Sequence, residues 1–577
     1  SNAEGTDANG VTSFNSNGFS LGNGGSGFTN ASTGEYASWT FRKAPGFLDI
    51  VVYDGDGVDG RQIAHSLGSV PGMIVIKPTD GGRNWLTYHR SIGNNKNISL
   101  NSDGGETSGL DEFNSTDPTS THFTISDSFQ VNDSTSTYVA YIFAHDDQSF
   151  GTDSDEAIIK CDGYTGNGTA GHEINVGFEP QWLMIKRRSG SQDWMMFDNM
   201  RGIATSGNDT YLEANNTIDE QTSDPFLDLT ATGFRITNTN TVLNGSGSTY
   251  IYVAIRRPHK PPEAGTDVFK AINYYSGSNK LTTGFPVDLQ IINGRASGFT
   301  GYYVFDRLRG FSTNDTAGGK QLLAYYDNAQ TSTTDFPTYN DNTGVKPSSW
   351  LNNVSVTYHN FKRAPGFLDI VAYTGNGNGS RAIDHNLGVA PEMIITKNYS
   401  QSTRNWRVWH KDLNGGGSNA ASYNLVLNEQ DTQSSNSDIF GGSSNTLPTA
   451  TQYTIGGNSN INENGEKHIA YLFASLDGIS KVGTYSGSSN DVTVDCGFSG
   501  APRYVIIKCL TRQEFFVVFD HARGIVSGDD PFFRYDFATA ETNGDHIDPT
   551  SSGFVARGGQ GDSFNAAGHT YVYLAIA

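Results

Sequence analysis

Apolar residues fall in short runs along the chain, rich in Val, Ile, Leu and aromatic side chains and bounded by clusters of Gly, Ser, Asn, Thr and Asp. Runs of that length and composition predict β-strands. Between residues 45 and 150 they cover Leu48 to Tyr53, Met73 to Lys77, Trp85 to His89, Phe123 to Ile125 and Tyr138 to Phe143. Asp54-Gly-Asp-Gly57 and Asp80-Gly-Gly82 supply turn residues between them. No stretch keeps a 3.6-residue period over three turns, so negligible helix is expected.

The runs repeat. Ala44-Pro-Gly-Phe-Leu-Asp-Ile-Val-Val-Tyr53-Asp-Gly55 returns as Ala364-Pro-Gly-Phe-Leu-Asp-Ile-Val-Ala-Tyr373-Thr-Gly375, 320 residues later. Its end, Tyr-x-Gly, also stands at Tyr164-Thr-Gly166, Tyr275-Ser-Gly277 and Tyr485-Ser-Gly487. A second marker follows each: two aromatics three apart, then His or Asp. These are Trp85 to His89, Trp194 to Asp198, Tyr302 to Asp306, Trp406 to His410 and Phe516 to Asp520. An aromatic strand closes most units: Tyr138 to Phe143, Tyr250 to Ile255, His468 to Phe473 and Tyr571 to Ile576, with Val354 to Phe361 in that place in the third.

Five units are therefore expected, at 45–150, 151–260, 261–364, 365–476 and 477–577, after a partial one at 1–44. The first and fourth (type A) carry His65-Ser-Leu-Gly or His385-Asn-Leu-Gly and Arg-Asn-Trp. The second, third and fifth (type B) carry Phe-Asp-x-x-Arg-Gly, at Phe197, Phe305 and Phe519. Tyr36 to Pro45 matches Thr357 to Pro365, the end of a type B unit. Residues 1–44 are thus expected to be the terminal strands of a truncated repeat, in a fragment of a longer protein or in one completed by another copy's strand. A unit of about 110 residues suits a two-sheet sandwich. The expected fold is all-β: tandem antiparallel β-sandwich, jelly-roll-like repeats, with a barrel as the other way to arrange the same strands. Ala-Pro-Gly-Phe-Leu-Asp is the junction where a type A unit follows a type B-like one, and is expected to fix the angle between them.

Composition narrows the classes. Sixty-eight Gly and 18 Pro without a Gly-X-Y period exclude collagen. Charged residues at 17% with aromatics at 12% argue against disorder. No apolar run reaches membrane-spanning length, so no membrane insertion is expected. A net charge of −22 repels nucleic acid and keeps a large assembly soluble. Cys161, Cys496 and Cys509 do not make a disulfide framework; buried free thiols are expected, with Cys496–Cys509 as the alternative. Ser1-Asn-Ala reads as a remnant of tag removal.

Candidate chemistry is thin. Asp54, Asp56 and Asp59 resemble a calcium loop, but the equivalent loops after Tyr164 and Tyr373 lose every carboxylate and keep turn residues. Asp198 with Arg201, and its two counterparts, suits a local ion pair that shapes a turn, against a ligand-binding carboxylate. His65 with His89 and His385 with His410 recur, yet lack a third zinc ligand. Trp85 and Tyr88 point to opposite faces of a strand, so one ring stacks on a sugar or packs on a neighbour. No catalytic motif is present, and a glycosidase pair of carboxylates is not legible in sequence. No catalytic, metal or cofactor-binding residue is assigned, no cofactor is expected, and no ligand-binding residue is singled out. Recognition is expected in the variable loops Asn94 to Thr121 and Asn414 to Thr449.

Phe41-Arg-Lys-Ala-Pro-Gly-Phe-Leu-Asp-Ile-Val-Val-Tyr53, His65 to Lys77 and Trp85 to His89 together resemble a repeat domain of uncharacterised structural proteins of marine tailed bacteriophages. The match is strongest in the type A units and loosest in the third unit, which has Phe285-Pro-Val-Asp-Leu-Gln-Ile-Ile where Pro-x-Met-Ile-x-x-Lys is expected. The resemblance implies a virion component, a tail fibre or appendage that attaches to a host cell-surface glycan or outer-membrane protein. It would be made in the host cytoplasm, act outside the cell beside other virion proteins, and form homo-oligomers such as trimers. The alternatives are a tailspike-like polysaccharide depolymerase and a bacterial surface adhesin.

Overall fold

A computed structural model describes residues 2–23, 29–32, 34–109, 111–151, 153–205, 207–277, 280–296, 301–310, 319–333, 341–348, 351–559 and 562–577. It is nearly all β, with helix among the described residues confined to short segments such as Thr241–Asn244, Ser459–Asn462 and Gly417–Ser422. Among the described residues no helix is long and apolar enough to cross a membrane.

Five large antiparallel sheets follow one another, all with the same strand order. In the first, Leu48–Asp54 pairs with Thr137–Ala144, which pairs with Pro71–Pro78, followed by Leu86–His89 and Lys96–Ser99. The opening strand of a unit thus lies beside its closing strand. A small sheet covers one face, such as Arg61–Ala64 with His122–Ile125 in the first unit. This is the expected series of antiparallel sandwiches, and among the described residues the sheets are open and none closes into a barrel.

Tyr-x-Gly has a packing cause. Tyr53 stacks on Tyr138 with centroids 5.2 Å apart, Tyr164 on Tyr250 at 4.8 Å, and Tyr485 on Tyr571 at 5.0 Å. In the fourth unit Tyr373 stacks on His468 at 5.1 Å. Each hydroxyl donates to a backbone carbonyl across the unit, Tyr53 to Val131 O and Tyr373 to Ile461 O. The glycine lets two backbones touch: a Cβ on Gly55 would stand 2.0 Å from Asp133 O, and one on Gly375 2.0 Å from Glu463 O. In the third unit the expected marker is displaced by one residue. Tyr274 fills the core place against Tyr358, Tyr275 is exposed, and a Cβ on Gly277 would meet nothing.

An antiparallel sheet with one face in water alternates buried and exposed positions. Here the central strands Pro71–Pro78, Val356–Phe361 and Tyr504–Cys509 are buried at every position. Their second face lies against other units. One apolar cluster joins Leu183 and Tyr252 of the second unit, Leu289 and Phe361 of the third, Met393 and Tyr471 of the fourth and Tyr504 and Leu574 of the fifth. Another joins the first unit to Trp182, Met184 and Val253 of the second. The units are fused through their sheets.

Residues 36–43 differ from their counterpart. The matching segment of the third unit is the strand Val356–Phe361, paired on both sides; 36–43 carries no strand, and among the described residues none pairs with it. Its rings pack nonetheless: Phe41 lies edge-on to Phe143 and Trp182 at 6.2 and 5.7 Å. The strands described in the N-terminal stretch are instead the hairpin Val11–Asn15 and Gly18–Leu21, exposed along its first strand and half-buried along most of its second.

Candidate functional site

The residues singled out in sequence are spent on structure. Asp56 accepts from Val58 N–H at 2.9 Å and Asn132 Nδ2 at 3.1 Å, Asp54 from Thr137 Oγ1 at 2.8 Å and Asp59 from Asn114 Nδ2 at 2.7 Å. Three carboxylates that each serve a different partner do not make a calcium cage. His65 and His385 accept from the N–H two residues on, in Leu67 and Leu387, and so end a strand. His89 reaches Tyr252 O of the next unit at 3.2 Å. Burial pulls His89 down to about 4 and His410 to about 3, so both are neutral. Among the described residues no three His, Cys, Asp or Glu side chains gather as a metal site. The three cysteines are free and buried, and burial pushes the Cys496 thiol up to about 12.

Phe-Asp-x-x-Arg-Gly builds the expected local pair and also reaches further. Asp198 accepts Arg201 Nε at 2.6 Å and the N–H groups of Met200 and Arg201. Asp306 holds Arg309, and Asp520 holds Arg523, in the same way. Each carboxylate also takes one donor from another unit. Tyr471 OH donates to Asp306 at 2.8 Å, His359 Nε2 to Asp520 at 2.8 Å and Trp39 Nε1 to Asp198 at 3.1 Å. Against the cost of burial, Arg523 and His359 hold the Asp520 carboxyl well below the usual carboxylate range. The motif is a connector between sheets.

Two further sets were not legible. Buried Asn132, Asn244, Asn462 and Asn565 each accept, through Oδ1, a backbone N–H of the loop after the Tyr-x-Gly strand. Lys186 and Lys397 send their ammonium groups to carbonyls of the preceding unit, Asp103 O and Asp327 O. The loops expected to carry recognition are partly spent the same way. In 94–121, Glu106 accepts Arg188 Nη1 of the second unit at 2.9 Å, and in 414–449, Gln433 N–H donates to Leu510 O of the fifth.

The best remaining site is a polar cleft of about 230 Å³ between the second and fourth units. The second unit supplies Glu173, Thr205, Asp228 and Arg235, the fourth Arg381, Asp384, Tyr399 and Lys467. At its floor Arg235 Nη2 donates to the buried Asp228, and the Thr205 hydroxyl meets Tyr399 OH at 2.9 Å. Lys467 Nζ donates to Thr205 O and stands 3.9 Å from Asp228. Burial raises the Tyr399 hydroxyl pKa, so it stays protonated. Guanidinium, ammonium, carboxylate and hydroxyl groups of both signs converge there, a set that exchanges hydrogen bonds with a neutral polyhydroxylated ligand. The volume is below the roughly 300–1,000 Å³ of drug-sized sites, room for no more than one part of such a molecule. Four of its residues break the internal repeat: at the equivalent strand positions Thr493, Val555, Thr79 and Thr137 replace Glu173, Arg235, Tyr399 and Lys467.

Residues 1–258 and 352–577 match the family described as Domain of unknown function (DUF7483). The chain belongs to this family. The unmatched residues, 259–351, are most of the third unit, where the sequence markers are also weakest. No curated protein matches the chain.

Proposed function

We propose that this DUF7483 chain is a virion component of a tailed bacteriophage, a fibre or appendage. Its polar cleft between the second and fourth units takes one residue of a host cell-surface glycan. The phage assignment rests on the Ala-Pro-Gly-Phe-Leu-Asp, His-x-Leu-Gly and Trp-x-x-Tyr-His resemblance. The ligand class rests on one observation: in a scaffold that repeats its core residues, Glu173, Arg235, Tyr399 and Lys467 occur once and converge. Fused sheets hold such a site without reorganisation, which favours a rigid attachment module.

A glycan array on the protein, beside adsorption to host cells, tests this. Binding to a defined oligosaccharide is expected, with Lys467→Ala and Glu173→Ala reducing affinity about tenfold or more through the loss of charged hydrogen bonds. Absence of binding to any glycan, together with failure to compete with virions for cells, would remove the proposal. Release of reducing ends from the bound polysaccharide would replace it with the depolymerase reading.

A further inference from the structure

The large sheets of the third, fourth and fifth units close on one another around a shared apolar centre lined by Ile291 and Phe361, Trp406 and Tyr471, and Tyr504 and Leu574. Polar contacts run round this trio. The third unit's Asp306 meets Tyr471 of the fourth, the fifth unit's Asp520 meets His359 of the third, and Gln433 of the fourth meets Leu510 of the fifth. Trp406 Nε1 of the fourth donates to Leu323 O of the third.

The first and second units reproduce two sides of that arrangement. Tyr141, Phe143, Trp85 and Leu100 of the first unit hold the strand positions of Tyr471, Phe473, Trp406 and Leu427 of the fourth. Met196 and Ala214 of the second hold those of Val518 and Tyr535 of the fifth. The fourth- and fifth-unit residues are buried; all six counterparts are only partly buried. Among the described residues none hydrogen-bonds the Tyr141 hydroxyl, whereas Tyr471 has Asp306. Among the described residues Lys77 donates to carbonyls of its own unit, Pro78 O and Gly81 O, where Lys186 and Lys397 also reach the preceding unit.

One strand of the missing side is already seated. Trp39 donates to Asp198 as His359 does to Asp520. Phe41 meets Trp182 at 5.7 Å and Phe143 at 6.2 Å, as Phe361 meets Tyr504 at 5.6 Å and Phe473 at 6.3 Å. Lys43 reaches Asp49 at 2.5 Å where Arg363 reaches Asp369 at 3.7 Å.

We propose that the face of Trp85, Tyr141, Phe143 and Met196 is the seat of a further large sheet of type B, supplied in cis, with residues 36–43 as its closing strand. In every unit the closing strand pairs with the opening and third strands of the same unit, so the flanking strands belong to the chain segment that runs into Trp39. The incoming sheet presents aliphatic and aromatic side chains, the Asp of a Phe-Asp-x-x-Arg-Gly motif to the Tyr141 hydroxyl, and a carbonyl to Lys77. A second copy of the same chain offers no free sheet of this kind, since those of its third and fifth units are already enclosed and that of its second unit is part of the seat itself.

The test places residues 261–355, the third unit up to its closing strand, ahead of residue 36, and reads hydroxyl-radical footprinting by mass spectrometry. In the unextended chain, Trp85, Tyr141 and Met196 are expected to react and Trp406 and Tyr471 to resist. In the extended chain, Trp85, Tyr141 and Met196 are expected to fall to the level of Trp406 and Tyr471, and an Asp306→Ala change in the added segment is expected to restore part of the Tyr141 reactivity. Unchanged reactivity in a folded extended chain overturns the proposal. So do protected rings in the unextended chain, and a dimeric solution mass with those rings protected would make a second copy the occupant. If the extension fails to fold, the unextended footprint and mass still decide.

Discussion

The first and fourth units share a signature and differ in surroundings. In the fourth, the opening strand Leu368–Thr374 packs on Leu227–Thr230 of the second unit, and Ile370 is 1% exposed. In the first, the equivalent strand Leu48–Asp54 lacks such a neighbour among the described residues, and Ile50 and Val52 are 39% and 67% exposed. The charges follow. At the fourth unit's junction Arg363 grips Glu179 through two nitrogens at 2.7 and 2.8 Å, and Arg257 bridges Glu179 and Asp369, with all four side chains buried. At the first unit's junction the half-exposed Lys43 meets, among the described residues, Asp49 alone. The sequence repeat thus encodes a fold that each unit keeps, while the second face of each sheet depends on which neighbours stand against it.

Substitutions break this comparison most sharply at the junction. Glu179→Ala leaves two buried guanidinium groups short of a carboxylate and is expected to cost about 3–5 kcal/mol in chemical denaturation. Lys43→Ala removes a largely solvated cation and is expected to cost below about 1 kcal/mol. Equal effects would show that the two junctions are energetically alike. At the sheet face, Tyr471→Ser is expected to cost about 3–5 kcal/mol, since it empties a closed core and strips a donor from Asp306. Tyr141→Ser is expected to cost less than half as much.

Acid sharpens the comparison next. His468 in the fourth unit is pulled down to about 4 by burial, as is His89 in the first, and His410 to about 3. Their folded values lie below the roughly 6.5 of an unfolded histidine. The folded state therefore binds fewer protons in that window, and the stability these groups contribute is complete above about pH 6.5 and lost as pH falls through 4. His468→Gln is expected to flatten the fall of melting temperature between pH 6.5 and 4. A variant with the same slope as the parent would remove this histidine from the cause. The smallest effect is expected at the surface loop: Asp59→Asn leaves one exposed hydrogen bond to Asn114 altered and is expected to change stability by no more than about 0.5 kcal/mol.

Much of the fold was legible because its markers are packing requirements. A tyrosine that stacks on the closing strand and a glycine that touches a carbonyl recur in the first, second, fourth and fifth units. The third unit misled for the same reason: Tyr275-Ser-Gly277 imitates the marker, while Tyr274 performs the packing. Relations between units were not legible. The donors to Asp198, Asp306 and Asp520 are a tryptophan, a tyrosine and a histidine more than 150 residues away. No local spacing connects them. The cleft was hidden twice over, since its halves come from different units and its residues depart from the repeat that made the rest readable. The variable loops drew attention by diverging, and they diverge in part because each clamps a different neighbour.

One trio of sheets is closed, and its repeat is open on one side. Hydroxyl-radical footprinting of the unaltered chain tests it most directly, by comparing Trp85 with Trp406 and Tyr141 with Tyr471 in one sample. Trp85 and Tyr141 are expected to be labelled, and Trp406 and Tyr471 to be protected. Equal protection in both pairs, with a monomeric mass, would contradict it.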